Sequence, residues 1–395
     1  MLASSGTVSA EVSGWTDIGK LRESNQDFFL IGDLDHGDLR DLELSDSTVF
    51  PDAERGPLMV VCDGMGGVAG GDVASRLAAQ VLWAEMRESP STDERPVYAR
   101  ILRRSVRVAN RRVYEEGSRN PALTGMGTTL SAAGVCGDAA LLAQVGDSRA
   151  YIQRGSTLTQ VTRDQSIVSA LMHAGRITAS EARDSPRKNM ILQALGSSAD
   201  VEVSLSIVEL RRGDRLLLCS DGLHGPVPHN LLETVMVQAK TVQDAVSQLV
   251  KMARAAGGPD NITAVVAEFS GDGLRPPMSP EDLPRFVEFN PVEGDRALTT
   301  TSRIARRLAA RAGLMEDPGP QVVPSTGAHW ALSDMAQSPA NSGPEADGQV
   351  GAEAGSHEGP ATAAFRRSSA LGMWAWIGAG LLLLVLVGML VLGAQ

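Results

Sequence analysis

Four aspartates share one kind of sequence setting, at the ends of apolar runs that have the composition of strands. Asp27 opens one run, Asp63 and Asp221 follow two others, and Asp260 precedes the last. Carboxylates at strand ends can converge at one edge of a sheet, where repulsion makes them take up protons unless a cation neutralises them. Oxygen ligands without a nearby His or Cys favour Mg²⁺ or Mn²⁺ over zinc. Each Asp-Gly pair alone is typical of an ordinary turn, but the four together indicate a metal site.

The elements that position these aspartates are predicted to form an α+β domain over residues 1–270. Strand-like and helix-like runs arrive in blocks and not in strict alternation, which favours antiparallel sheets over a doubly wound parallel sheet. Asp72 is a candidate N-cap for a helix that ends near Met86. A second amphipathic helix is predicted over about 97–116, with Gly117 ending it.

The middle of this domain combines hairpins with one helical segment. The Gly137-Asp138 pair lies between two strand-like runs and predicts a hairpin turn. A helical pattern follows over about 165–184, where Thr178 and Glu181 have the spacing of a capping box. Strands and two further helices then lead to the last apolar run, "ITAVVAEF".

Composition excludes several classes of protein. The formal net charge of −11 argues against a sequence-blind nucleic-acid binder, so no nucleic-acid partner is expected. Cys62, Cys136 and Cys219 lie far apart without a CxxC pair, and they are expected to be small buried hydrophobes. None has an arginine at the sixth position after it, the arrangement that a cysteine-based phosphatase loop requires.

The C-terminal third has a different amino-acid composition. Residues 271–370 are rich in Pro, Gly, Ala and Ser and are expected to form a disordered linker. Within them, 303–314 is interpreted either as a basic amphipathic helix for a partner or a lipid surface, or as an idle solvated segment. Residues 371–395 are predicted to form a transmembrane helix. Arg366 and Arg367 precede it, so the positive-inside rule predicts a single-pass membrane protein whose globular part lies on the cytoplasmic side.

Six motifs in a fixed order resemble one family. The runs "TDIGKLRESNQD", "VCDGMGGVAGGDVAS", "GTTL", "VGDSRAY", "CSDGLHG" and "GGPDNITAVV" are similar to those of the metal-dependent protein phosphatases of the PPM (type 2C) family, in its bacterial form. The resemblance spans about residues 12–269. It implies a β-sandwich of two antiparallel sheets flanked by helix pairs, an α-β-β-α arrangement. It also implies two ions of Mn²⁺ or Mg²⁺ per site.

The resemblance assigns metal-binding roles to particular residues. Asp63 is expected to bridge the two ions, with the carbonyl of Gly64 on one of them. Asp221 and Asp260 are expected to supply further ligands, and Asp27 to act partly through water. The resemblance also assigns a weaker third ion, held by Asp147 together with Asp221.

The same resemblance implies a chemistry. Two ions that share Asp63 would lower the pKa of a bridging water, which attacks phosphorus in line without a covalent phosphoenzyme. Arg22 lies at the family's phosphate-binding position, where a guanidinium can contact two phosphoryl oxygens. The alternative for Arg22 is an exposed surface ion pair.

Several positions depart from the family pattern or leave a role open. Gln26 replaces a Glu, Met65 replaces the His proposed as general acid in eukaryotic relatives, and Val68 replaces a His of bacterial relatives. Residues 164–195 resemble the flap segment that is expected to carry substrate selectivity. His173 is interpreted as a helix-surface residue or a proton donor. His224 is interpreted as a group that assists catalysis or as a residue without a catalytic role.

The leading hypothesis is a membrane-tethered, metal-dependent phosphatase of phosphoserine and phosphothreonine proteins. Its expected partners are phosphorylated proteins, among them serine/threonine kinases and their substrates. The alternative is a catalytically weak pseudophosphatase that binds phosphoproteins or scaffolds a kinase, which Gln26 and the missing histidines motivate. A third hypothesis keeps the chemistry and changes the substrate, to a phosphorylated anti-sigma-factor antagonist or a small phosphate ester.

Overall fold

The computed structural model describes residues 6–39, 46–51, 55–279 and 282–289. All of them lie in one unit, Met1–Gln321. In chain order the strands are β1 (Ser9–Asp17), β2 (Asp27–Asp33), β3 (Asp38–Leu39), β4 (Thr48–Phe50), β5 (Pro57–Met65), β6 (Gly127–Thr128), β7 (Leu130–Cys136), β8 (Ala139–Val145), β9 (Arg149–Arg154), β10 (Thr157–Gln160), β11 (Ser204–Glu209), β12 (Arg215–Cys219), β13 (Ile262–Ser270) and β14 (Phe286–Glu288). The α-helices are α1 (Gly67–Glu88), α2 (Arg95–Arg119), α3 (Ile167–His173), α4 (Ala179–Asp184), α5 (Asp221–His224), α6 (His229–Gln238) and α7 (Val242–Ala255).

The strands form two antiparallel sheets. The first sheet has the order β10-β9-β12-β13-β1-β4, and the second has the order β14-β11-β8-β7-β5-β2-β3, with β6 paired to β5. Successive strands along the chain are often neighbours in the sheet, as in the β7–β8 hairpin, where Cys136 pairs with Ala139 across the Gly137-Asp138 turn. This turn confirms the hairpin predicted there.

Side-chain alternation along the strands sorts the core into three layers. Met59 and Val61 of β5 point toward the first sheet, whereas Val60 between them points toward the helices. In the first sheet, Leu216 of β12 packs between the sheets and Leu217 packs against the other helix pair. Helices α1 and α2 therefore cover the second sheet, and α6 and α7 cover the first. The α-β-β-α arrangement expected from the resemblance is confirmed.

The three cysteines lie in strands that are buried on both of their faces. Cys62, Cys136 and Cys219 are at most 1 % exposed and form no disulfide. Burial raises the pKa of each thiol above its ordinary value. They are small hydrophobes of the core, as predicted.

Two predicted helix boundaries are wrong. Helix α1 begins at Gly67 and not after Asp72, because Gly66 and Gly67 adopt φ values of 114° and 48° that turn the chain directly from β5 into the helix. Asp72 instead pairs with Arg76 one turn later, at 2.8 Å. Helix α2 runs through Gly117, whose missing Cβ would lie 3.3 Å from the carbonyl of Leu123.

The helical stretch predicted over 165–184 is divided into α3 and α4. The turn between them ends at Thr178, whose hydroxyl accepts from the backbone amide of Glu181 while the Glu181 carboxylate accepts from the amide of Thr178. This reciprocal pair is the predicted capping box. Both helices belong to the flap segment, 164–195.

Ordered chain continues past the domain boundary expected at residue 270. Leu274 is buried, and β14 adds to the edge of the second sheet through antiparallel pairing with β11. The carboxylate of Asp282 pairs with the nearly buried guanidinium groups of Arg154 and Arg211 at 3.4 and 3.3 Å. Most of the expected linker, including 303–314, and the segment 371–395 lie outside the described residues. Among the residues that are described, no helix has the length and apolarity needed to cross a membrane.

Candidate active site

The site is centred on two carboxylates of neighbouring strands. Asp27 at the start of β2 lies directly opposite Asp63 near the end of β5. Residues opposite each other in an antiparallel pair project to the same face of the sheet. The backbone amide of Asp63 donates to the hydroxyl of Thr129 at 3.0 Å, and its carbonyl accepts from the Thr129 amide at 2.8 Å, so β5 is fixed at this point.

Asp27 connects the two sheets. It is 3 % exposed, and its Oδ2 accepts hydrogen bonds from Ser220 Oγ and Thr263 Oγ1, both at 2.7 Å. These donors come from the end of β12 and from β13 of the opposite sheet. Burial raises the pKa of Asp27, and the nearby Asp221 and Asp260 raise it further, although the two hydroxyl donors act in the opposite direction.

Asp221 begins the short helix α5 and faces Asp63. Burial and the charge of Asp260 raise the pKa of Asp221, a contact with Asp63 acts in the opposite direction, and Asp221 Oδ1 is buried without a hydrogen-bond donor among the described residues. The pKa of Asp63 lies well above its ordinary value, first because of burial and then because of the like charges of Asp27, Asp221, Asp147 and Asp260. The predicted carboxylates therefore form one electrostatic cluster around Asp63.

Arg22 and Asp260 lie at the open side of this cluster. Arg22 Nη2 donates to Asp260 Oδ2 at 2.7 Å, and the Arg22 side chain is 54 % exposed. This hydrogen bond is the main reason that the pKa of Arg22 is raised. The structure thus places a half-exposed guanidinium at the mouth of the site.

Asn261 positions the loop that carries Arg22, and its role was not predicted from the sequence. Its side-chain amide donates to the carbonyls of Ile18 and Ser24 at 2.9 and 3.0 Å, while its Oδ1 accepts from the amide of Gln26 at 2.9 Å. The signal was present, because Asn261 directly follows Asp260 in the motif "GGPDNITAVV". A buried amide beside a candidate ligand is a candidate positioning residue.

Gly64 allows two backbone segments to approach each other. A Cβ on this residue would lie 2.1 Å from the carbonyl oxygen of Gly71 and 2.5 Å from that of Gln26. The Gly64 amide donates to the same Gln26 carbonyl at 3.1 Å. Gln26 also donates through Nε2 to the carbonyl of Gly67 at 2.9 Å, which fixes the start of α1 beside the site.

Asp147 lies at the far side of the cluster. It is 8 % exposed, and burial, followed by the charges of Asp221 and Asp164, raises its pKa to about 7. Its backbone carbonyl lies 3.1 Å from Nε2 of His224. Burial, with the nearby Arg149, lowers the pKa of His224 to about 3, so this imidazole is neutral and has a structural contact.

The flap returns to the site at both of its ends. Ser166 forms a bridge with Ile191 inside the flap, and Leu195 forms one with Thr128, which is the β6 residue opposite Gly64. His173 is exposed at the last position of α3. The flap is therefore joined to the strand that carries Asp63.

The donor set fits hard divalent ions. The clustered side chains are carboxylates, one buried oxygen lacks a donor, and Gly64 leaves its backbone uncovered. In the described ranges, no three Asp, Glu, His or Cys side chains gather closely enough to hold one ion by themselves. Each ion would therefore take fewer protein carboxylates and complete its shell with backbone carbonyl and water oxygens, as Mg²⁺ does.

Comparison with known proteins agrees with this geometry. The family model described as protein phosphatase 2C matches residues 40–267. The serine/threonine phosphatase stp of Listeria monocytogenes is 35 % identical over 237 residues, which are 59 % of this chain and 93 % of that protein. The serine/threonine protein phosphatase PstP of Mycobacterium tuberculosis is 40 % identical over 213 residues, 53 % of this chain and 40 % of that protein.

Solved structures give the same result. The crystal structure of M. tuberculosis PstP/Ppp superposes with a TM-score of 0.56 at 34 % identity, covering 68 % of this chain and 99 % of that chain. The catalytic domain of PstP in complex with two manganese ions gives a TM-score of 0.55 at 34 % identity, covering 67 % and 100 %. The chain belongs to the protein phosphatase 2C family and is a protein phosphatase.

Proposed function

We propose that this chain hydrolyses phosphoserine and phosphothreonine in proteins, with water as the nucleophile and no covalent phosphoenzyme. The cofactor is Mn²⁺ or Mg²⁺. The observation that carries the proposal is the cluster of carboxylates around Asp63, with Arg22 at its open side. A carboxylate cluster next to an arginine combines a cation site with a phosphate site.

The proposed ligands divide between two ions and a weaker third. Asp63, the Gly64 carbonyl, Asp221 and Asp260 would hold the two ions, with Asp63 shared between them. Asp27, which Ser220 and Thr263 hold at the base of the site, acts through water. Asp147 and Asp221 would hold the third ion. When bound, the ions supply Lewis acidity, which activates water and stabilises negative charge on the phosphoryl oxygens.

Arg22 is the proposed phosphate-binding residue. Its guanidinium is half-exposed, so it can contact phosphoryl oxygens while Asp260 holds it at the edge of the site. A guanidinium matches two oxygens of one phosphoryl group and orients phosphorus for attack. His224 has no proposed part in proton transfer, because its imidazole is neutral and contacts the Asp147 carbonyl.

The competing hypothesis of a pseudophosphatase has less support. It depends on Gln26, where many relatives carry Glu, and on Met65 and Val68, where relatives carry His. In this chain the Gln26 amide donates to the Gly67 carbonyl, a bond that a carboxylate could not donate. The substitution is therefore accounted for by a local backbone contact, and the carboxylates proposed as ligands are all present.

The proposed location is the cytoplasmic face of a bacterial cell membrane, with 371–395 as a single-pass anchor. The support is the sequence alone: a long, charge-free apolar stretch follows Arg366 and Arg367. Phosphorylated proteins near the membrane, including serine/threonine kinases and their substrates, are the proposed partners. Fractionation of cells that express the whole chain, or the chain without 371–395, tests the anchor; recovery of both in the soluble fraction would contradict it.

One experiment tests the activity and separates it from the competing hypothesis. The purified full-length chain is assayed on p-nitrophenyl phosphate and on a phosphothreonine peptide, with Mn²⁺, with Mg²⁺ or with EDTA. We expect turnover only with metal, and its loss in Asp63→Asn but not in Asp72→Asn, a partly exposed aspartate of α1. Turnover in EDTA would overturn the mechanism, and saturable Mn²⁺ binding without phosphate release would favour the pseudophosphatase.

A further inference from the structure

The outward face of α2 carries a dense line of positive charge. Eight of the 25 residues of this helix are arginine, in a chain whose net charge is −11. Four exposed arginines follow one another at helical spacing and so lie along one face of the helix. This set, called the arginine strip below, comprises Arg100, Arg104, Arg107 and Arg111.

The charges of the strip are not neutralised within the part of the chain that the structure describes. Arg119 pairs with Glu115 at 3.3 Å, but none of the four strip residues forms an ion pair with a described carboxylate. Like charges three or four residues apart destabilise a helix. Burial, together with the charges of Arg107 and Arg100, lowers the pKa of the neighbouring Arg103. An anionic partner would relieve this repulsion.

The strip borders a groove on the outward face of α2. This groove, of about 360 Å³, is bordered by the strip and by Arg103, Val108, Arg112 and Glu115. A second groove, of about 320 Å³, lies between the C-terminal half of α2 and the N-terminal half of α1, with Arg112 and Arg119 on one side and Arg76 on the other. Helix α1 begins at Gly67, which Gln26 holds beside Asp27. The second groove also contains Asp72 and Glu116, and Arg76 pairs with Asp72 while Arg119 pairs with Glu115, so the net positive charge of this surface is concentrated on the strip.

We propose that the arginine strip is a docking surface for an acidic segment of a phosphoprotein substrate, outside the residue that is dephosphorylated. This inference rests on the proposed function, because it assigns a substrate class to that site. The strip spans about 16 Å along the helix axis, which an extended segment of about five residues would cover. Asp and Glu side chains on that segment complement the strip in charge.

A lipid surface fits this face less well than an acidic polypeptide. Helices that lie on membranes insert large apolar side chains next to their basic residues. The groove of the strip contains one aliphatic side chain, Val108, and the apolar side chains Leu102, Val106 and Val113 of the same helix are buried in the core. The attraction is therefore electrostatic and accessible from solvent.

The test uses two phosphothreonine peptides, one with a flanking run of Asp and Glu and one with those acids replaced by Gln and Asn. The strip variant is Arg104→Gln, Arg107→Gln and Arg111→Gln in the full-length chain. The control variant, Lys240→Gln, Lys251→Gln and Arg275→Gln, removes the same charge from exposed positions elsewhere. Peptide binding is measured by fluorescence anisotropy in the Asp63→Asn background, so that the result does not depend on turnover.

We expect the strip variant to bind the acidic peptide about tenfold more weakly at low salt, because three exposed charge contacts are lost. The affinity of the strip variant for the neutral peptide should stay unchanged. Its p-nitrophenyl phosphate turnover, measured in a protein that retains Asp63, should also stay unchanged. Equal affinities of the strip variant and the wild type would overturn the proposal, as would the same loss in the control variant. Strip-dependent binding of phosphatidylglycerol vesicles or single-stranded DNA, without an effect on the acidic peptide, would overturn it too.

Discussion

The Gln193 side-chain amide donates a 2.8 Å hydrogen bond to Gln165 Oε1 and so joins the two ends of the flap. The same Gln165 oxygen accepts from the backbone amide of Gly146, the residue before Asp147, at 2.8 Å. Gln165 Nε2 donates to Ser204 Oγ of β11 at 3.0 Å. One buried glutamine therefore connects the flap, the Asp147 loop and the second sheet.

Replacing Gln165 by Ala should loosen the flap and the Asp147 loop together. The change leaves the buried Gly146 amide without its acceptor, which costs about 1–3 kcal/mol, while Gln193 Nε2 keeps its hydrogen bond to the Glu202 carbonyl. We expect a lower free energy of unfolding in urea and a higher KM for phosphopeptides, with a smaller effect on p-nitrophenyl phosphate. Gln238→Ala, at the exposed end of α6, is the matched control, and an identical pattern in both variants would refute this role for Gln165.

Replacing Asn261 by Ala should displace Arg22 without touching a proposed ligand. The variant loses two hydrogen bonds to the loop carbonyls and one from the Gln26 amide, each worth about 1 kcal/mol. Because this loop carries Arg22, we expect KM for p-nitrophenyl phosphate to rise several-fold. Steady-state kinetics measures the effect. Asn261→Asp retains the acceptor for Gln26, so its KM should lie between those of the wild type and Asn261→Ala. Unchanged kinetics in Asn261→Ala would contradict the assignment.

Gly64→Ala should damage the proposed metal site more than a glycine-to-alanine change elsewhere. The new Cβ would be 2.1 Å from the Gly71 carbonyl, so β5 and the start of α1 must move apart. Gly137 has a φ of 59°, and a methyl group added there would meet no atom within 4 Å, so Gly137→Ala should cost only about 1 kcal/mol of backbone strain. Isothermal titration with Mn²⁺ compares the two, and equal affinities would contradict the close-approach argument.

The metal-free protein should lose stability as the pH rises. Burial raises the folded-state pKa of Asp147 to about 7, and raises those of Asp27 and Asp63 as well. Between the ordinary value near 3.8 and the raised value, the folded state binds more protons than the unfolded state, so the free energy of unfolding falls with increasing pH. In EDTA we expect a lower Tm at pH 8 than at pH 5, by about 2–4 °C for each kcal/mol lost.

Two further measurements check the origin of this dependence of stability on pH. Mn²⁺ should restore Tm at pH 8, because it binds the folded state and replaces the protons. Asp147→Asn should flatten the dependence on pH in EDTA. A metal-free protein that is more stable at pH 8 than at pH 5 would show that the carboxylate cluster does not control this part of the pH range.

The sequence allowed the clustering of the carboxylates to be predicted better than the residues that hold them. Asp63 and Asp221 are recognisable because an acid that follows an apolar strand has few structural explanations. Ser220 and Thr263, which donate to Asp27, lie 193 and 236 residues from it in the chain. Common hydroxyl residues carry no local signal of such a contact, because the contact exists only after the two sheets pack.

The two predicted helix boundaries were wrong for a related reason. Asp72 has the residue type of an N-cap, but the preceding glycines turn the chain earlier, and tertiary packing of α1 on the sheet determines where the helix begins. The short strand β14 lies in a Pro-rich sequence without periodicity, and it forms because β11 offers unpaired backbone groups. Alternation and amphipathic spacing could identify the central strands and the long helices, but not such an added strand.

The pairing of β14 with β11 also covers what would otherwise be an open edge of the second sheet. Unpaired backbone amides and carbonyls along such an edge invite strand addition from another molecule, and hence aggregation. A chain cut at residue 270 would uncover that edge and remove the Asp282 carboxylate from Arg154 and Arg211. The stretch up to Phe289 thus helps to keep one catalytic unit from associating with the next.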